Sequence, residues 1–449
     1  MCAIVQWFQP LAEAVQPVDA LLSMLGGFAL ILVLTRLRVP ISAAVIVGAV
    51  VVSTLFGNGA ARTGQVLLEG LFRLDMLLLA IIIVVIIVLT QVMRETGRLE
   101  EIVASLRLLL RRPAASMAAV PAMIGLLPMP GGALFSAPLV ASATGGTNVE
   151  KARLSAINFW FRHVWEYWWP LYPGVILAMS LARQEAGIGD LTFLQFQVPL
   201  SIPMILAGMF LFIGSHRDLH VSAPRAPAGT KRRLLRATAP IWLIILIYAV
   251  GQAALAWLDW AGVDLSAAPA SGLRSAPIAF GLAASLIWSI ATSGLPRWKI
   301  ARLFTARSIY KMVLVVMMVM VYKHAVESVD AGRLMGEELA ALHVPTAVVV
   351  AVLPLIAGVV LGVAVGFVGA SFPIILPLVA GRADVSAYIA LAYAFGHMGQ
   401  MLSPIHICYI VSNDYFKTPG RPVFLRILPV AILTMAGVVG YFLLLRWVL

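Results

Sequence analysis

The chain has 449 residues, 61% of them hydrophobic and only 12% charged, with a mean hydropathy of +0.97. That leaves too little polar surface for a set of water-soluble domains of ~150 residues each. The net charge of +12 suits loops facing anionic lipid headgroups. It does not suit a nucleic-acid face, because the basic residues sit in short clusters between apolar runs.

Residues 1–17 lack a basic leader and read as an interfacial segment anchored by Trp7 and Phe8 rather than a cleaved signal. A first unit follows over 18–214. Apolar runs at 18–35, 40–57 and 76–91 predict membrane spans, and 62–75 and 100–110 predict amphipathic helices along an interface. Residues 117–147 hold so many prolines and glycines that two short helices around a tip, a re-entrant hairpin, are expected with the tip at 128–136. A span broken at Pro170 and Pro173 covers 154–181, and another span lies at 196–214.

The most basic linker, 215–236, separates this unit from a second over 237–449. There, spans are predicted at 239–258, 276–291 and 310–328. A second hairpin follows at 345–381 with its tip at 366–373, then a broken span at 385–411 and a last span at 425–445. With the amino terminus outside, 23 Lys and Arg fall on inner segments and seven on outer ones, as the positive-inside rule requires. The count works only if each hairpin enters and leaves on one side. It places both termini outside and the basic linker inside.

The two units also share text. GGALFSAPLV at 131–140 aligns with GASFPIILPLV at 369–379 with one insertion, and His163 precedes Pro170 by the same seven residues that separate His397 from Pro404, an offset of 234. The expected fold is therefore an all-α polytopic membrane protein of about ten transmembrane helices plus two re-entrant hairpins, in two inverted-topology repeats. Interrupted helices of such repeats meet near the midplane of many secondary transporters.

Ionisable groups within spans are costly and point to function. Arg162, His163 and Glu166 lie in the first broken span, where i,i+3 and i,i+4 spacing puts Glu166 on one helical face with the other two. On the functional reading Arg162 meets an anionic substrate while His163, Glu166 and His397 carry the coupling ion, helped by Gln400 and Ser403. A structural Arg162–Glu166 pair with a packing histidine also fits, and Trp160, Trp165, Trp168 and Trp169 fit headgroup anchors that would place this group at shallow depth. His406 can titrate near neutral pH as well. Gly131, Gly132 and Ser136 at the first tip, Gly369 and Ser371 at the second, and Asn158 are substrate-binding candidates through exposed backbone and short polar side chains. Lys323, His324 and Glu327 form a second buried cluster if their span runs on to Ser328, and ordinary interfacial charges if it stops near Tyr322.

The two cysteines, Cys2 and Cys408, give no disulfide framework and no metal-ligand spacing, and Cys408 reads as a small buried hydrophobe. Phosphate-loop, HExxH and CxxC signatures are missing, so no enzymatic activity, cofactor or metal is expected, and energy would come from an ion gradient.

The segments PMPGGALFSAPLV (128–140) and NFWFRHVWEYWWPLYP (158–173) resemble an uncharacterised prokaryotic integral membrane family labelled as a domain of unknown function. That family is similar in arrangement to the ion-transporter superfamily of gluconate, citrate and dicarboxylate carriers. The resemblance implies an inner-membrane homodimer whose transport domain moves, elevator-like, beside a scaffold. The paired Ser-Asn-Thr tips of the sodium-coupled dicarboxylate branch are missing here, so no residue roles carry over from those carriers. The reading is a secondary transporter of a small organic anion with protons or, as second choice, sodium. A cation/proton antiporter and a non-transporting scaffold or receptor stay open beside it.

Overall fold

The structure, a computed structural model, describes residues 19–109, 113–126, 132–142, 144, 149–214, 227–261 and 270–449. The anchors Trp7 and Phe8 lie outside these residues, as does Gly131.

The first unit runs α1 (Ala20–Arg36), α2 (Ile41–Leu55), α3 (Ala60–Leu71), α4 (Leu74–Glu95), α5 (Arg98–Leu109), α6 (Pro113–Gly125), α7 (Ala133–Ser142), α8 (Lys151–Arg162), α9 (Pro173–Ala186) and α10 (Asp190–Ile213). After α11 (Thr230–Ala237) come α12 (Ala239–Trp260), α13 (Ala270–Ala291), α14 (Arg297–Phe304), α15 (Arg307–Glu327), α16 (Ala331–Ala341), α17 (Thr346–Leu361), α18 (Ala364–Val379), α19 (Val385–Met401), α20 (Ile407–Phe416) and α21 (Gly420–Val448). Counted in chain order, α1–α10 pair one to one with α12–α21. The sequence reading did not anticipate α14 and α16, which complete that correspondence.

No strand occurs among the described residues. Five stretches are long and apolar enough to cross a membrane: Met76–Glu95, Asp190–Ile213, Ala239–Leu258, Arg297–Glu327 and Gly420–Val448. The α16–α17 pair, bent by 119°, makes a sixth if it is taken as one span. The protein is an all-helical, multi-pass membrane protein.

Packing between the units is reciprocal. Helix α2 lies on α15 while α13 lies on α4; α9 lies on α18 while α20 lies on α7; and the counterparts α4 and α15, like α10 and α21, touch each other. Each unit thus completes its partner's core. Apolar side chains gain little from leaving lipid, so close helix packing and interhelical hydrogen bonds hold such an arrangement together.

Two expectations are corrected here. The second turn does not lie at 366–373, which is helical, but at Gly362, which has φ 64°, and Val363, which is extended. The glycines that suggested a turn serve close packing, with Gly369 facing Val319 of α15. The first turn is likewise N-terminal to Ser136, which lies inside α7. In addition, α8 stops at Arg162 and 163–168 are turns, so Arg162, His163 and Glu166 do not share a helical face.

Candidate functional site

Each broken element is two helices joined by irregular chain, largely buried in the first and with Pro404 and Ile405 exposed in the second. Pro170 and Pro404 lie in the breaks; α9 restarts with Pro173 in its first turn, and α20 restarts after His406. Non-helical backbone is tolerable at such depth only if its polar groups find partners. Short-range bonds supply several here, including Glu166 N–H to the His163 carbonyl (3.1 Å) and Ser403 N–H to the Gln400 carbonyl (3.2 Å).

The side chains of the two breaks meet. Gln400 Nε2 donates to Glu166 Oε2 at 2.7 Å, and both residues are buried. They are 234 residues apart, the same offset that separates His163 from His397 and Pro170 from Pro404. Around Glu166 stand His163, its Nε2 3.8 Å from Oε1, and His397, its Nδ1 3.9 Å from Oε2. His397 is fully buried, with Tyr167 edge-on to its ring at 4.5 Å between centroids, and neither of its ring nitrogens has a hydrogen-bond partner among the described residues. The buried Ser403 hydroxyl has none there either.

Arg162 ends α8 at 3% exposure, beside this group. Two glycines admit it. A Cβ on Gly125 would strike the Arg162 carbonyl, and one on Gly132 would strike its guanidinium. In the second unit a Cβ on Gly358 would strike the Gly396 carbonyl, and Gly396 stands where Arg162 does in the first. There the ring of Phe367 fills the space over Gly396, as the guanidinium fills that over Gly132.

A polar seam continues from the crossing. Asn158 Nδ2 donates to the Ala133 carbonyl (3.0 Å) and to Ser412 Oγ (2.9 Å), and Ser155 Oγ donates to Asn413 Oδ1 (2.7 Å). Interhelical hydrogen bonds of this kind contribute about 0.6 kcal/mol each in membrane proteins, so this seam aligns α8 with α20 rather than dominating stability. Ser136 and Ser371 are buried but return their hydroxyls to carbonyls of their own helices, Ala133 (3.3 Å) and Phe367 (2.6 Å). The four tryptophans donate inside the protein, to Met204, Ala122 and Leu126 carbonyls and to Ser201 Oγ. That use of their N–H groups is structural and leaves none of them for a headgroup.

Lys323, His324 and Glu327 lie together with Glu185 and Glu69, but only Lys323 of the three is buried. Lys323, 2% exposed, bridges Glu185 of α9 (2.7 Å) and Glu327 (2.6 Å). His324 stands 3.6 Å from both Glu69 and Glu327. Glu327 itself is partly exposed, so the group runs from the interior to the surface. In the loop before α19, Asp384 lies between Arg382 and Arg446, each at 2.9 Å. Slight burial pushes its carboxyl up, but hydrogen bonds from the two arginines outweigh this and hold it below the ordinary range.

The crossing also gathers metal-ligating atoms that sequence spacing did not reveal. Those of His163, His406 and Cys408 all lie within 4.8 Å of one another, and all three residues are buried.

Fold and site together define a polytopic helical membrane protein in which two interrupted helices meet through ionisable and polar side chains. The chain belongs to the family described as a protein of unknown function (DUF401), whose profile matches residues 20–230 and 278–445. No curated protein matches it.

Proposed function

We propose that this protein is a secondary active transporter of the inner membrane that moves a small organic anion down a proton or sodium gradient. It would be built from two inverted-topology repeats with about ten spans, and α6–α7 and α17–α18 would be re-entrant hairpins. The reading rests on the Glu166–Gln400 contact, which puts the interrupted helices of both units side by side at one buried polar centre, the arrangement in which alternating access is built. Arg162 is the substrate residue: its planar guanidinium suits bidentate pairing with a carboxylate, and Gly132 leaves that face uncovered by any side chain of its own. In an elevator-like movement the breaks and hairpins would travel together past a scaffold containing α4 and α15.

The test is uptake of a panel of radiolabelled organic anions into proteoliposomes under separately imposed pH and sodium gradients. Gradient-dependent uptake of an anion is expected, and Arg162→Ala should lower it at least ~30-fold, because removing one member of a buried charged pair costs about 2–5 kcal/mol. Anion uptake that is indifferent to Arg162→Ala removes that residue from the site. Proton flux driven by cations, with no anion uptake, favours an antiporter instead.

A further inference from the structure

We infer that His163, His406 and Cys408, with Glu166 closing the fourth position, form a binding site for a zinc-class divalent cation. Nothing in this inference depends on the transport reading.

The geometry begins with His163. Its Nδ1 lies 2.6 Å from the Phe159 carbonyl, which can only accept, so Nδ1 carries the proton and Nε2 presents a lone pair. This is the outer-shell arrangement that orients metal-bound histidines, whose second nitrogen donates to a carbonyl or carboxylate. His406 Nε2 faces that lone pair at 3.1 Å, with the rings nearly perpendicular at 82°. Two nitrogens bound tetrahedrally to zinc at ~2.0–2.1 Å stand about 3.3 Å apart, so the pair is already at ligating separation.

Cys408 stands two residues beyond His406, in the first turn of α20, with its sulfur inside the same 4.8 Å cluster. A bound zinc would bring nitrogen and sulfur to about 3.6 Å, a movement on the order of 1 Å. Glu166 stands at the rim of the cluster: Gln400 holds Oε2 at 2.7 Å and Oε1 lies 3.8 Å from His163 Nε2, so a side-chain movement must bring Oε1 to the metal.

The donor set also fits by charge and softness. A thiolate and a carboxylate offset the charge of a divalent ion, although the buried Arg162 guanidinium beside Cys408 leaves one positive charge in excess, and an N2SO set suits zinc or cobalt rather than magnesium or calcium. On binding, the metal replaces the Cys408 proton, which leaves to solvent. His406 gives up Nε2 and carries its proton on Nδ1, a buried atom without a hydrogen-bond partner among the described residues.

The experiment uses the full-length protein, purified in detergent without chelator, in wild-type and Cys2→Ser backgrounds. Titration with Co2+ is followed by the thiolate-to-cobalt charge-transfer absorption, and bound zinc is measured by elemental analysis. We expect about one ion per chain, a charge-transfer band that Cys408→Ser abolishes, and at least tenfold weaker cobalt binding in His406→Ala. Zinc should also slow alkylation of Cys408 in the Cys2→Ser protein at least tenfold, a reading that needs no variant of the site. Folded wild-type protein that takes up no stoichiometric cobalt or zinc and shows no protection of Cys408 overturns the inference. So does a charge-transfer band that survives Cys408→Ser.

Discussion

The two broken helices share a backbone plan but differ in what fills it. At the first crossing a small residue on the hairpin side, Gly132, faces a large charged one, Arg162. At the second, Phe367 on the hairpin side faces Gly396. Volume is conserved while chemistry is not: a guanidinium occupies one crossing and a phenyl ring the other. The same contrast holds where the breaks touch, the first supplying the carboxylate of Glu166 and the second the amide of Gln400. At these two breaks the charged side chains Arg162 and Glu166 come from the first, while the second supplies the donor and the imidazoles of His397 and His406.

This comparison can be broken at its shared part or at its divided part. The largest effect is expected where the plan is shared. Gly125→Val and Gly358→Val each drive a side chain into a backbone carbonyl that cannot yield, so each should cost about 3 kcal/mol or more and lose monodisperse protein on size exclusion. If one is tolerated and the other is not, the crossings are not built alike.

The double variant Gly132→Phe/Arg162→Gly copies the second crossing into the first. Its total volume fits, so the protein should remain folded, with thermal unfolding close to wild type, while anion uptake falls as far as in Arg162→Ala. Retained uptake would separate the charge from the function. The smallest change is expected for Gln400→Leu, which leaves one Glu166 oxygen without its donor, a loss of ~1–3 kcal/mol that should appear as a lowered unfolding temperature in detergent. An unchanged temperature would mean that the Gln400–Glu166 contact carries no stability.

Much of the scaffold was legible in the text. The seven-residue spacing from His163 to Pro170 and from His397 to Pro404 located both breaks, because proline removes a donor and interrupts a helix wherever it falls. Apolar length located the five helices long enough to cross a membrane, among the ten spans expected, and the amphipathic pattern located α3 and α5. The second turn was misplaced because glycine has two uses: Gly366 and Gly369 allow close packing inside α18, while Gly362 adopts the left-handed backbone of the turn. Glu69 and Glu185 were missed since their partners, His324 and Lys323, are more than a hundred residues away. For Cys408 a faint signal existed in His406-x-Cys408 just after a break, but its meaning depends on His163 from the other unit.

By itself the sequence determined that this chain lives in lipid and where its helices are interrupted, because hydropathy, proline and local spacing act over a few residues at a time. Only the tertiary structure decided which interrupted helices dock, that Glu166 meets Gln400, and that Arg162 and Phe367 each fill the space over a glycine. Those outcomes depend on shape complementarity between surfaces more than two hundred residues apart, which no local pattern encodes.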